Sequence, residues 1–134
     1  MNDLVESALG VRHSAPRVRL KVWIEDERGG VLLSEWRVAL LEAVAETGAM
    51  ARAAESVGVP YRTAWQRLRE MEAALGVVLV ETVSGGADGG GSRLTADGRD
   101  LVERFRRVTA GLAETAQARF DEHLRDRLGE RRGG

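Results

Sequence analysis

Residues 49–75, AMARAAESVGVPYRTAWQRLREMEAAL, contain the pattern that decides the fold. A short alanine-rich segment ends at Gly58-Val59-Pro60, and a second helical pattern begins at Tyr61. Gly58 can adopt the left-handed backbone conformation that a tight turn needs. Pro60 can open a helix, because an N–H at that position would have no intrahelical partner. The stretch therefore predicts a helix-turn-helix.

The second helix of this motif, at about residues 60–75, has one apolar stripe and one polar face. The stripe consists of Ala64, Leu68, Met71 and Leu75, and we expect it to pack in the core. The polar face carries Arg62, Gln66 and Arg69, flanked by Thr63 and Arg67. Arg and Gln side chains read base edges in the DNA major groove, which makes this a candidate recognition helix. The alternative is that the same side chains only solvate an exposed face.

A glycine-rich segment at residues 84–92 follows this helix, between two short strand-like segments. It predicts a wing whose tip lies along the DNA backbone, with Arg93 at its base contacting a phosphate. Trp65, at the edge of the core stripe, is expected to pack between the recognition helix and the wing. A tip without DNA contact is the alternative. Nucleotide binding is disfavoured, because no Lys-Ser or Lys-Thr pair follows the glycines.

The segment before the helices predicts a β-hairpin. Its first strand is expected from the alternating apolar residues Val18, Leu20, Val22 and Ile24. Residues 26–30 then form the turn and residues 31–33 the second strand. Ser34 is placed to begin a first helix and Gly48 to end it. Residues 1–16 show no sustained periodicity, and we expect a flexible arm there.

A long apolar stripe follows Thr95, which is placed to cap the last helix. One continuous helix over residues 96–128 would be about 45 Å long and would exceed a small domain, so part of its stripe needs a partner. A second copy of the chain is the expected partner. The residues expected at the dimer contact are Leu101, Phe105, Val108, Leu112 and Phe120. The alternative is that the stripe folds back over the first helix. Residues 129–134 are expected to be a flexible tail.

Composition argues against several classes of function. The 134-residue chain has a formal net charge of -1, no cysteine, and two histidines that lie far apart, His13 and His123. We therefore expect no catalytic site, no metal and no cofactor, and do not expect an enzyme. The sequence has no apolar segment of membrane-spanning length and no signal-peptide pattern, which predicts a soluble cytoplasmic protein. The length suits one domain, at residues 17–95, with appendages.

Several motifs occur in combination between residues 20 and 105. They are Leu40-Leu41-Glu42-Ala43-Val44, Thr47-Gly48-Ala49-Met50, Ala53-Ala54, Tyr61-Arg62-Thr63-Ala64-Trp65, Leu79-Val80-Glu81-Thr82, two glycine clusters and Arg93-Leu94-Thr95 with Gly98. Together they resemble the N-terminal domain of ModE-type molybdate-responsive regulators and, more distantly, the helix-turn-helix of LysR-type regulators. The resemblance implies a winged helix-turn-helix, mainly α with a small β component, that dimerises and binds a palindromic operator in double-stranded DNA.

The candidate DNA-binding residues follow from the motif and its resemblance: Arg52, Tyr61, Arg62, Thr63, Gln66, Arg67 and Arg93. One predicted helix after the wing leaves no room for the molybdate-binding β-barrel of such regulators. We therefore expect a stand-alone DNA-binding form, constitutive or regulated by a separate protein. The alternative function is a protein-interaction module that binds a partner through its C-terminal helix, which the near-neutral charge would favour.

Overall fold

The computed structural model describes residues 16–84 and 90–128. The first range contains β1 (Trp23–Glu25), β2 (Val31–Ser34), α1 (Glu35–Thr47), α2 (Met50–Ser56), α3 (Tyr61–Leu75) and β3 (Val80–Val83). The second contains β4 (Gly91–Leu94), α4 (Ala96–Thr109), α5 (Leu112–His123) and α6 (Arg125–Leu128). The arm before Pro16, the wing residues 85–89 and the tail after Leu128 lie outside the described residues. The chain divides into two units, Lys21–Thr109 and a second made of the residues before and after it.

The predicted N-terminal hairpin is confirmed, with a shorter first strand than the sequence indicates. Strands β1 and β2 are antiparallel, and Trp23 pairs with Ser34. Ser34 is the last residue of β2 and also caps α1, so β2 has no residue left to pair with the chain before Trp23. The alternation that begins at Val18 therefore does not extend the strand. At the turn, Asp26 Oδ1 accepts the N–H groups of Arg28 at 2.8 Å and Gly30 at 2.9 Å.

Helix α1 begins and ends where its capping residues predict. The Ser34 hydroxyl accepts the N–H of Arg37 at 3.4 Å, and Gly48 ends the helix at φ 73°. Its inner face contributes four fully buried side chains to the core, Val38, Leu40, Leu41 and Val44. These caps satisfy backbone groups that the ends of a helix otherwise leave without partners.

The helix-turn-helix of α2 and α3 is also confirmed. Gly58 takes φ 73° in the turn, and the N–H of Val59 donates to the Ala54 carbonyl at 3.0 Å. The predicted stripe of α3 packs in the core, where Ala64, Leu68 and Met71 are fully buried. The turn and the stripe together fix which face of α3 remains exposed.

The wing is a two-stranded antiparallel sheet in which Glu81 pairs with Arg93 and Thr82 with Ser92. Strand β4 contacts the turn after α1, since the Ser92 N–H donates to the Gly48 carbonyl at 2.8 Å. A Cβ on Gly91 would lie 2.7 Å from that carbonyl oxygen. Glycine at position 91 is therefore what allows the wing backbone to approach so closely.

Thr95 and Gly98 join the wing to α4. The Thr95 hydroxyl accepts the Gly98 N–H at 2.9 Å and donates to the Val78 carbonyl at 2.6 Å, so the predicted cap is confirmed. A Cβ on Gly98 would lie 2.3 Å from the Leu79 carbonyl oxygen. The Leu-Thr-x-x-Gly pattern thus combines a helix cap with a close backbone contact.

The sequence predicts one continuous helix over residues 96–128, and this prediction is wrong. Helix α4 ends at Thr109 and α5 begins at Leu112, after Gly111 adopts φ 76°. A left-handed residue cannot continue an α-helix, and glycine adopts that conformation without strain from a Cβ. The apolar spacing runs across this break and so concealed it.

Phe105 is a second correction, because the sequence assigns it to the dimer contact. The structure buries it in the core of its own unit, 1% exposed. In the same helix, Arg106 donates to Glu35 on α1 at 2.8 Å and also binds Glu42. These hydrogen bonds raise the pKa of Arg106 further above its usual value. The alternative that the stripe folds back over the first helix is therefore correct for α4.

In the second unit, the Val18 N–H donates to Gln117 Oε1 on α5 at 2.8 Å. Asp121 accepts hydrogen bonds from Arg125 and Gln117, which lower the pKa of its carboxyl group. None of the residues of α5 is buried. Across the part of the chain that the structure describes, no helix has both the length and the apolar character that a membrane crossing needs.

Gly98→Ala should lower the free energy of unfolding by about 1–3 kcal/mol, because the added methyl group overlaps the Leu79 carbonyl. In an ordinary helix the same change would stabilise by about 1 kcal/mol, so the sign is diagnostic. Urea unfolding followed by circular dichroism measures it. Asp100→Ala, on the exposed side of α4, is the control and should change stability by about 0.5 kcal/mol or less. Stabilisation by Gly98→Ala would contradict the proposed contact.

Candidate nucleic-acid interface

Helix α3 carries five of the seven candidate DNA-binding residues. Arg62 and Gln66 are exposed, and Tyr61 at the start of the helix is 52% exposed. Thr63 and Arg67 are half-buried at the flank, as their positions in the sequence predict. Arg62 and Gln66 lie on the exposed face of α3, Tyr61 lines the cleft beside the wing, and Thr63 and Arg67 line the groove beside the hairpin.

An aromatic and cationic stack organises one edge of this face. The rings of Tyr61 and Trp65 meet edge to face, with centroids 6.4 Å apart and planes at 82°. The Arg69 guanidinium lies 5.4 Å from the centroid of Trp65, a cation–π distance. The sequence analysis missed this stack, although the i, i+4 spacing of the three residues could have indicated it.

A cleft separates the start of α3 from the wing. It is lined by Ala49, Met50, Ala51, Tyr61, Trp65, Thr82, Gly90, Gly91 and Ser92. Trp65 is half-buried and packs against the core while it faces this cleft. This location agrees with its expected place between the recognition helix and the wing.

Arg93 and Arg52 lie apart from the five candidates on α3. Side chains alternate between the two faces of a strand, and Ser92, next to Arg93, is the residue that lines the cleft. Arg93 therefore lies on the other face of the wing, where its Nε donates to Glu81 at 2.8 Å. Arg52 is exposed on α2 and donates to the Thr47 carbonyl at 2.9 Å. Contact of either residue with a phosphate stays a prediction.

Arg67 belongs to a small network of charges that links α3 to α1 and the hairpin. Its Nη1 lies 2.9 Å and 3.0 Å from the two carboxylate oxygens of Glu70. Glu70 also lies 3.8 Å from Nη2 of Arg37, and Nη1 of Arg37 donates to the Val31 carbonyl at 2.9 Å. The sequence analysis did not anticipate this network.

Arg37 on α1 is buried, with 8% of its surface exposed, which is unusual for arginine. Burial lowers its pKa, Glu70 opposes that shift, and the charge of Arg67 adds to it. The group nevertheless stays protonated at neutral pH. A carboxylate near Arg37 and Arg67 therefore stabilises two positive charges at once. No sequence pattern indicates that Arg37, the one arginine of α1, is buried.

Glu72 sets the geometry between α3 and the wing. Its Oε2 accepts the N–H groups of Leu79 at 2.8 Å and of Val80 at 3.3 Å. The carboxylate thereby binds the backbone at the start of β3 from the last turns of α3. Within residues 16–84 and 90–128, no group of three or more His, Asp and Glu side chains is placed to hold a metal ion.

Comparison with known proteins identifies relatives of this region. The family described as "Bacterial regulatory helix-turn-helix protein, lysR family" matches residues 37–99. The molybdenum-pterin-binding protein MopB of Rhodobacter capsulatus is 38% identical over 98 residues, which are 73% of this chain and 36% of MopB. The DNA-binding transcriptional dual regulator ModE of Escherichia coli (strain K12) is 34% identical over 85 residues, 63% of this chain and 31% of ModE. The chain thus spans about a third of the length of these curated relatives.

One solved structure is similar to this chain, and the similarity extends along nearly the whole length of the solved domain. It is the complex of the CbnR DNA-binding domain with DNA, 34% identical in sequence, with a TM-score of 0.50. The match covers 66% of this chain and 95% of the CbnR domain. The resemblance to ModE-type and LysR-type proteins that the motifs indicate is therefore confirmed.

Glu72→Ala should lower the free energy of unfolding by about 1–3 kcal/mol, because the two N–H groups at the start of β3 lose a charged acceptor. Urea unfolding measures the change. Glu55→Ala removes an exposed carboxylate from α2 and serves as the matched control. Equal stability of the two variants would mean that Glu72 does not hold the wing.

Proposed function

Because the chain belongs to the family of LysR-type bacterial regulatory helix-turn-helix proteins, we propose that it is a sequence-specific DNA-binding transcriptional regulator. Helix α3 enters the major groove, and a homodimer binds an inverted-repeat operator. The observation that carries this proposal is the division of α3 into a stripe that packs in the core, with Ala64, Leu68 and Met71 fully buried, and an exposed row of Tyr61, Arg62 and Gln66.

Arg62 and Gln66 are the proposed base-reading residues. Both lie in the first two turns of α3, the part of a recognition helix that contacts base edges. Neither side chain makes a hydrogen bond or ion pair to another described residue, so both can bind a ligand without breaking an internal contact. Arginine pairs with guanine O6 and N7, and glutamine with adenine N6 and N7. Each such pair contributes about 1–3 kcal/mol of discrimination between bases.

Tyr61, Thr63 and the wing are proposed to contact the DNA backbone. The Tyr61 hydroxyl and the Thr63 hydroxyl can donate to phosphate oxygens next to the groove that α3 occupies. The wing would lie along the backbone on the other side of the cleft. Phosphate contacts fix the register of the protein on DNA, while base contacts provide the specificity.

Dimerisation would place two copies of α3 on two half-sites. Support comes from apolar side chains that are not packed in the core and stay exposed to solvent. These are Val108, which is 56% exposed, and Leu112, which is 39% exposed. Leu101, which packs against the core of its own unit, and Phe120, which is partly buried on α5, stay proposed dimer residues, and Phe105 is removed from that set. Two linked copies of the helix-turn-helix and wing bind DNA far more tightly than one copy. This gain compensates for the weak attraction to DNA of a chain with a net charge of -1.

A protein-interaction module is the second candidate function. It is favoured by α5, in which no residue is buried and Leu112 remains exposed. The same surface could bind a separate regulatory protein in place of a second copy. Failure to bind DNA at low salt, together with capture of a different protein through α5, would support this function.

Arg62→Ala and Gln66→Ala should each weaken binding to the preferred sequence by about tenfold or more, because each removes a base contact. That sequence is first selected from a random DNA pool with the wild-type protein, and fluorescence anisotropy then gives the dissociation constants. Arg104→Ala on the exposed face of α4 is the charge-matched control for Arg62→Ala. Unchanged affinity in both α3 variants would contradict the assignment of the recognition helix.

Val108→Glu combined with Leu112→Glu should convert a dimer into a monomer, because buried unpaired charges disrupt an apolar contact. Sedimentation velocity measures the change. Ala118→Glu, together with Thr115→Glu, introduces the same charge elsewhere on α5 and is the control. The monomer should lose more affinity for the inverted repeat than for a single half-site. A wild-type protein that sediments as a monomer would exclude the proposed dimer.

A further inference from the structure

Glu70 lies beside the proposed DNA-reading face but cannot attract DNA. It is on α3, three residues after Arg67, and its side chain is 45% exposed. A carboxylate at this place repels phosphates that approach α3. Its presence on the proposed reading face calls for a physical reason.

The contacts of Glu70 provide that reason. Both of its oxygens lie within 3.0 Å of Nη1 of Arg67. On the other side it lies near Arg37, which is buried and anchored to the hairpin through the Val31 carbonyl. Glu70 thus links the long, flexible side chain of Arg67 to the guanidinium group of Arg37, which is held in place by its own hydrogen bond. Ordinary exposed ion pairs lack such an anchor.

Arg67 is held within a groove between α3 and the hairpin. The groove is lined by Trp23, Val31, Ser34, Trp36, Arg37, Thr63 and Arg67. While Glu70 holds it, the Arg67 guanidinium is directed along the flank of α3 and is less available to an arbitrary phosphate. Binding to random DNA depends almost entirely on such phosphate contacts.

We infer that Glu70 is a specificity-determining residue that acts by positioning Arg67. It weakens binding to random DNA, because a phosphate must compete with Glu70 for Arg67. It weakens binding to the preferred sequence less, because there Arg67 keeps the orientation that Glu70 gives it. The inference rests on the proposed function, since it concerns the ratio of two DNA affinities.

The experiment compares three forms of the full chain: wild type, Glu70→Gln, and Asp100→Asn. Asp100 forms an i, i+4 pair with Arg104 on α4, so Asp100→Asn makes the same charge change outside the proposed interface. Fluorescence anisotropy gives the affinity of each form for a 30-base-pair duplex of random sequence, about 30 being enough for a dimer site. A second duplex carries the selected sequence. Thermal unfolding verifies that each variant is folded.

Glu70→Gln should bind the random duplex about threefold to tenfold more tightly, while Asp100→Asn changes that affinity by about twofold or less. Affinity for the selected duplex should rise less, so the ratio of the two affinities falls by about threefold or more. In an Arg67→Ala background the effect of Glu70→Gln on the ratio should disappear, since the proposal acts through Arg67. A general structural defect would not vanish in that background.

Three results would overturn the inference. In the first, the ratio of affinities for the selected and random duplexes is the same in Glu70→Gln as in the wild type. In the second, Asp100→Asn changes that ratio as much as Glu70→Gln does. In the third, Glu70→Gln still changes the ratio in the Arg67→Ala background. In these cases the wild type still selects a sequence and the proposed function stands. If the wild type binds no DNA at low salt, the proposed function fails and the inference fails with it.

Discussion

The hydrogen bond to the carbonyl group of Gly48 is the interaction on which the arrangement of the helix-turn-helix and the wing depends. Gly48 ends α1 in a left-handed conformation, and its oxygen accepts the N–H of Ser92 from the wing. The contact is possible only because Gly91 has no side chain at the point of approach. One backbone hydrogen bond thus joins the first helix, the start of α2 and the wing, and it fixes the cleft beside Trp65.

Local signals in the sequence predicted the parts of the fold that local chemistry determines. Ser34, Gly48, Gly58 and Thr95 act within a few residues of themselves, through caps and turns, and each has the predicted role. The buried stripe of α3 follows from helical periodicity alone. What the sequence could not predict depends on partners distant along the chain. The burial of Arg37 is such a case, because it requires the positions of the hairpin and of Glu70.

The C-terminal part shows how one strong pattern can conceal another. Apolar residues at helical spacing continue from α4 into α5, and this regularity predicted a single helix. Gly111 was the contrary signal, since glycine inside a helix costs about 1 kcal/mol relative to alanine. Phe105 was misassigned for the same reason, because periodicity does not say whether a stripe meets its own core or another chain. The candidate residues on α3 depend on no such choice, because all five follow from the position of one helix.

The division of α3 has a consequence for evolution. Arg62 and Gln66 make no hydrogen bond or ion pair to another residue that the structure describes, so exchanges at these positions should be close to neutral for stability. Under the proposed function, descendants of this chain could therefore acquire new DNA target sequences while the scaffold is inherited unchanged. Arg67 is different, because its carboxylate partner also neighbours a buried cation. A change of target sequence through position 67 would involve side chains of two helices. We therefore expect position 67 to diverge more slowly in evolution than positions 62 and 66.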